Sequence, residues 1–125
     1  MKSTRFILLT IMVVALLLAP QISFANKSSV TISAPETAAK GSEVTIKLTI
    51  THSANSWWHY TNWVYLQVNG KEFIRWDFTG SKLPEAAVFT REVKIPVNEP
   101  LELVAEAHCN IHGSAGPAKL KISLK

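Results

Sequence analysis

The stretch Glu43-Val44-Thr45-Ile46-Lys47-Leu48-Thr49-Ile50-Thr51 decides the fold. Its apolar residues Val44, Ile46, Leu48 and Ile50 fall on every second position, and Thr45, Lys47, Thr49 and Thr51 fill the gaps. A strand points successive side chains to opposite faces, so this pattern is a strand with one buried and one wetted side. Working outward, strand-like runs recur at Val30 to Ile32, His59 to Val68, Lys71 to Phe78, Ala87 to Pro96, Leu101 to Cys109 and Ala118 to Leu124. Asn69-Gly70 joins two of them with the dipeptide favoured in a two-residue hairpin. Lys40-Gly41-Ser42 and the segment from Asn98 to Pro100 supply further turns.

Seven short strands, turn signals about every 8–12 residues and no helical period predict an all-β fold, an immunoglobulin-like antiparallel β-sandwich of about seven strands. The Cys…Trp…Cys spacing of antibody domains is missing, so the expectation concerns architecture alone.

Residues 1–25 carry a different signal. Lys2 and Arg5 precede an apolar run from Phe6 to Ala19 interrupted only by Thr10, Pro20-Gln21 breaks it, and Ser23-Phe24-Ala25 offers small residues for a peptidase. This is the layout of a secretory signal peptide, with a mature domain over 26–125 that is secreted or periplasmic and has no membrane span after cleavage. Without Lys2 and Arg5, 11 of the 13 basic residues remain against 9 acidic ones, a balance of +2. So mild a charge, with no basic cluster, argues against a nucleic-acid partner. Ser-His-Asp arrangements, paired acids in a cleft pattern and glycine-rich phosphate loops are also missing.

The chemistry-bearing residues are one cysteine and four histidines. Strand phase puts Cys109 with Leu101, Leu103, Ala105 and Ala107 on the core face, and His108 with Glu102, Val104 and Glu106 on the other. His112 follows three residues later in a loop, with Gly113 to let the backbone turn. A thiolate and an imidazole so spaced can close on one metal ion, whereas an isolated pair of this kind is commonly a buried thiol beside a surface histidine. His52 ends one strand in phase with its apolar face, and His59 opens the next. Both therefore flank one loop, whose Trp57 and Trp58 are placed to wall a site. His52, His59, Cys109 and His112 can gather at one end of the sandwich. A lone thiol is a liability in an oxidising compartment unless it is buried or bound, and ligation would protect it.

Two blocks carry a resemblance. His59-Tyr60-Thr61-Asn62-Trp63-Val64-Tyr65-Leu66 resembles the H-Y-I-E-W-I-E-L segment of the superoxide reductases, the neelaredoxin and desulfoferrodoxin family. Cys109-Asn110-Ile111-His112-Gly113 is similar to that family's C-N-x-H-G motif, and His52 to the first histidine of its H-P-x-x-x-x-H segment. The resemblance implies a β-domain binding one mononuclear non-haem iron (Fe2+/Fe3+), with imidazoles in a plane and a cysteinate opposite an open position. Carried over, His52, His59 and His112 are equatorial ligands and Cys109 the axial one. It further implies superoxide as substrate, an external electron-donor protein as partner, and Lys27 as the lysine that attracts superoxide. The family's remaining histidine belongs to an E-K-H-V-P motif, where this chain has Asn26-Lys27-Ser28-Ser29-Val30. Water or His108 are the candidates for that fourth place, although strand phase points His108 away.

Two other readings compete. A cupredoxin-like copper protein for electron transfer also joins a β-sandwich to an upstream His and a Cys followed by a His. Its usual axial Met has no counterpart, since Met1 and Met12 both lie in the leader. A plain secreted interaction domain would treat the histidines as surface polar groups. The electron donor and association into a homo-oligomer are left open by the residues.

Overall fold

The computed structural model describes residues 26–125; the expected signal peptide lies outside the described residues. Eight strands follow one another: β1 (Ser29–Ser33), β2 (Thr37–Ala38), β3 (Ser42–Thr51), β4 (Thr61–Val68), β5 (Lys71–Asp77), β6 (Val88–Val97), β7 (Leu101–Cys109) and β8 (Ala118–Leu124). They form two sheets, one ordered β1-β3-β6 and the other β2-β8-β7-β4-β5. This is the immunoglobulin-like sandwich the alternation predicts. The two-residue β2 is an addition, paired parallel to β8, whereas every other strand pairing is antiparallel. Among the described residues no helix is long and apolar enough to cross a membrane.

Between the sheets lie Val44, Ile46, Leu48 and Ile50 of β3, facing Leu101, Leu103, Ala105 and Ala107 of β7, with Val64, Leu66, Phe89, Val97 and Ile122 beside them. A fully buried aliphatic side chain of this size stabilises by about 1.5–3 kcal/mol. Slipping β3 by one residue would turn its four apolar side chains outward at a cost of roughly 6–12 kcal/mol, comparable to the whole stability of a small domain. The alternation therefore fixes the register as well as the strand.

Two details set up the site. The expected strand from His59 begins at Thr61 instead, because the His59 N–H donates to the Ser56 carbonyl (3.1 Å) and its carbonyl accepts from the Ser56 N–H (2.9 Å). A tight turn thus occupies the polar groups a ladder would need. Further along, Thr61 pairs with Cys109 but Trp63 pairs with His108, so Asn62 is an extra residue against β7. Such a bulge breaks the alternation and re-aims the neighbouring side chains. Thr61 accordingly points inward and is buried, although it lies an even number of residues from the outward Trp63 and Tyr65.

Candidate metal centre

His52, His59 and Cys109 are all buried, and their ligand atoms lie within 4.8 Å of one another. His52 continues the inward phase of β3 just past its end, held by its N–H donating to the Ala87 carbonyl at 3.0 Å. His59 is placed by the turn with Ser56, and Cys109 by the last inward position of β7. His112 comes in from the exposed side, its Nδ1 3.3 Å from His59 Nε2 and 4.0 Å from Cys109 Sγ. The four residues expected from the sequence therefore meet at one end of the sandwich.

The loop after Cys109 is closed by its own backbone. Cys109 N–H donates to the Gly113 carbonyl and Gly113 N–H to the Cys109 carbonyl, both at 2.9 Å. That closure needs Gly113 at φ 82°, a conformation that side chains with a Cβ resist. Within the loop the His112 N–H points at Cys109 Sγ from 3.4 Å, an arrangement that favours negative charge on sulfur. Asn110 ties this loop to the histidine loop. Its Nδ2 donates to the Trp58 carbonyl (3.0 Å), its Oδ1 accepts from Tyr60 N–H (3.0 Å), and its own N–H donates to the Tyr60 carbonyl (3.1 Å).

The ring nitrogens have defined surroundings. His52 Nδ1 faces the Ala54 carbonyl at 2.7 Å, a contact that favours the tautomer with the proton on Nδ1 and a lone pair on Nε2. For His59, burial first, then the neighbouring His52 and His112, push the pKa below 6.5, against a pull upward from the Asn26 backbone. A neutral imidazole is the form that ligates a metal. Two buried imidazoles and a buried thiol at this spacing, one imidazole fixed in tautomer and one held against protonation, fit a soft-to-borderline transition metal such as iron.

His108 does not join them. It lies on the outer face, stacked on Trp63 (centroids 4.8 Å apart, planes 9° apart), with Nδ1 2.7 Å from Asn62 Oδ1. Trp57 and Trp58 are exposed, and Trp58 leans on His59 with ring centroids 5.4 Å apart. Lys27 is half-buried between Asn26 and the fully buried Ser28. Three contributors gave no clear signal in the sequence: the Asn110 clamp, the buried bond between Ser28 Oγ and Thr61 Oγ1 (2.7 Å), and the Asn26 carbonyl, 3.2 Å from His52 Nε2. The Asn in the C-N-x-H-G motif could have pointed to the first; the other two depend on the bulge and on the path of residues 26–28.

The sequence profile of desulfoferrodoxin matches residues 21–114. The chain belongs to the desulfoferrodoxin family. A search of curated protein sequences finds no match. Among solved structures, the superoxide reductase (neelaredoxin) from Ignicoccus hospitalis is similar with a TM-score of 0.65 at 20% identity, covering 79% of this chain and 82% of that one. The reduced neelaredoxin from Archaeoglobus fulgidus is similar with a TM-score of 0.50 at 22% identity, covering 74% and 88%. A PKD domain of a peptidase from a Thermoplasmatales archaeon reaches a TM-score of 0.57 at 11% identity, covering 78% and 95%. The sandwich is thus shared well beyond the desulfoferrodoxin family, and the fold by itself assigns no chemistry.

Proposed function

We propose that this chain is an exported mononuclear non-haem iron protein that reduces superoxide to hydrogen peroxide, with His52, His59, His112 and Cys109 as the ligands. The observation that carries the reading is the convergence of His52, His59 and Cys109, from three separate segments, on one buried point. When bound, ferrous iron supplies the one electron that, with two protons, converts superoxide to hydrogen peroxide, and an external donor protein then returns an electron to the ferric ion.

The chain's own groups shape that reaction. Cys109 contributes a thiolate whose charge favours electron donation from the metal, and the His112 N–H steadies that charge. Burial and the neighbouring His52 and His112 lower the His59 pKa and so favour the neutral imidazole that can ligate a metal. The Ala54 carbonyl fixes His52 in the tautomer that offers Nε2. Lys27 follows Asn26, whose carbonyl lies 3.2 Å from His52 Nε2, and its positive charge would draw in an anionic substrate. Trp58 leans over one side of the His59 ring.

The test is metal content and spectroscopy of anaerobically purified protein, followed by superoxide consumption. One iron per chain, a thiolate-to-ferric absorption on oxidation that vanishes in Cys109→Ala, and full iron in His108→Ala are expected. Lys27→Ala should slow superoxide consumption and flatten its dependence on ionic strength, with iron content intact. Copper with an intense thiolate band would favour the cupredoxin-like alternative. A chain that takes up no metal, or whose iron fails to consume superoxide faster than free iron, would overturn the proposal.

A further inference from the structure

Both ring nitrogens of His52 face carbonyl oxygens: Nδ1 the Ala54 oxygen at 2.7 Å and Nε2 the Asn26 oxygen at 3.2 Å. A neutral imidazole has one N–H, and the shorter contact claims it. The second contact then sets a nitrogen lone pair against an oxygen lone pair. A cation bound by both atoms would relieve that opposition. Metal–nitrogen bonds of about 2.1 Å put neighbouring ligands at right angles about 3 Å apart. The Asn26 oxygen stands off His52 Nε2 by that spacing, as His112 Nδ1 does from His59 Nε2 at 3.3 Å.

Ser28 anchors the segment that holds Asn26 in this place. Its N–H donates to the Gly113 carbonyl (3.2 Å), its carbonyl accepts from Ala115 N–H (2.9 Å), and its Oγ bonds Thr61. Ser28 occupies the position where the family motif has its histidine, and its side chain is engaged with Thr61. The segment meets His52 through the Asn26 main-chain oxygen.

We propose that the main-chain carbonyl oxygen of Asn26 would take the place of the missing histidine, joining His52, His59 and His112 as a ligand. An amide oxygen is neutral like an imidazole, so the net charge of the site is kept, and it is a harder donor that iron accepts. The inference rests on the iron reading above and goes beyond it in naming a ligand that no side chain reveals.

Methionine occurs only at positions 1 and 12, so Asn26→Met creates a single new methionine while leaving the carbonyl in place. The side chain of residue 26 is exposed, which makes the change tolerable. Full-length Asn26→Met and wild type are both grown on methionine carrying 13C in its carboxyl carbon, loaded with iron and oxidised. They are then compared by pulsed electron–nuclear double resonance. A 13C coupling present in Asn26→Met and missing from wild type, with unchanged iron affinity, is the expected result. Iron bound normally in both with no difference in 13C signal overturns this inference alone. Failure of wild type to take up iron overturns it together with the functional reading, whereas failure of Asn26→Met alone overturns only this inference, because the substitution keeps the proposed ligand.

Discussion

The two ends of β4 are built by different means. At its far end, Asn69 at φ 51° and Gly70 at φ 83° turn the chain straight into β5. The Asn69 side chain completes the turn by accepting from the Glu102 N–H at 2.8 Å. Two adjacent residues therefore decide that end. At the near end, Thr61 meets Ser28 and Cys109, and the ligand cluster draws on residues 26, 52, 59, 109 and 112. The turn end is set by local backbone preference, and the cluster exists only once both sheets have docked. The difference predicts that stability and metal binding can be damaged separately.

The largest separation is expected from Cys109→Ser. Serine is smaller than the thiol and leaves the core aliphatics in place, so the fold persists. Iron affinity should fall by at least the roughly 10–100-fold that loss of a mere supporting group costs a metal site. Metal competition titration measures it. A variant with wild-type affinity would remove Cys109 from the site.

Thr61→Val tests the boundary between the two ends. It keeps the shape but leaves the fully buried Ser28 hydroxyl without its partner, at a cost of about 1–3 kcal/mol in urea unfolding. Because Ser28 positions the segment that reaches His52, iron affinity should fall as well. Stability loss with unaltered affinity would show that residues 26–28 are not held by this bond.

Gly70→Ala is the converse. A Cβ at φ 83° costs about 1–2 kcal/mol, with open space around it and hence no clash to add. Unfolding should shift by that amount while iron affinity stays at the wild-type value. A coupled loss of iron would mean that the ends communicate through β4.

The same division explains what could be read in the sequence. The β3 alternation, the Asn69-Gly70 turn and the opposite phases of His108 and Cys109 are short-range patterns, and the structure reproduces each. The meeting of His52 with Cys109 was legible only through strand phase combined with the motif resemblance. The start of β4 at Thr61 was hidden because a Tyr- and Trp-rich run favours a strand, while the reciprocal Ser56–His59 bonds favour a turn. The bulge at Asn62 leaves no periodic mark, so the inward turn of Thr61 and its bond to Ser28 could not be foreseen. Nor could the Asn26 carbonyl, since every residue has one.

The smallest expected effect concerns the loop that braces His52. Ala87 accepts from the His52 N–H, and the Pro84 carbonyl accepts from Asn55 Nδ2 at 2.8 Å, so residues 84–87 support the histidine loop from behind. Glu85 fastens this brace to β6 by two bonds from Arg91, at 2.6 and 3.1 Å. Hydrogen bonding from Arg91 is the chief cause holding the Glu85 carboxyl below its ordinary value of 4.5. A carboxylate whose pKa is depressed by folding stabilises the protein above that ordinary value, and the contribution is lost as pH falls through the lowered one. Glu85→Gln should therefore be less stable than wild type at neutral pH, and the gap should close in acid. The Glu85 side chain is 59% exposed, so the gap is at most about 1 kcal/mol and shrinks further in salt. Arg91 also packs over the rings of Phe78 and Phe89, a contact that Glu85→Gln leaves intact and that keeps β6 in place. Iron affinity should hold within error, because the backbone bond from His52 to Ala87 does not involve the pair. A fall in affinity that tracks the titration of Glu85 would instead show that the charge on the brace sets the position of His52.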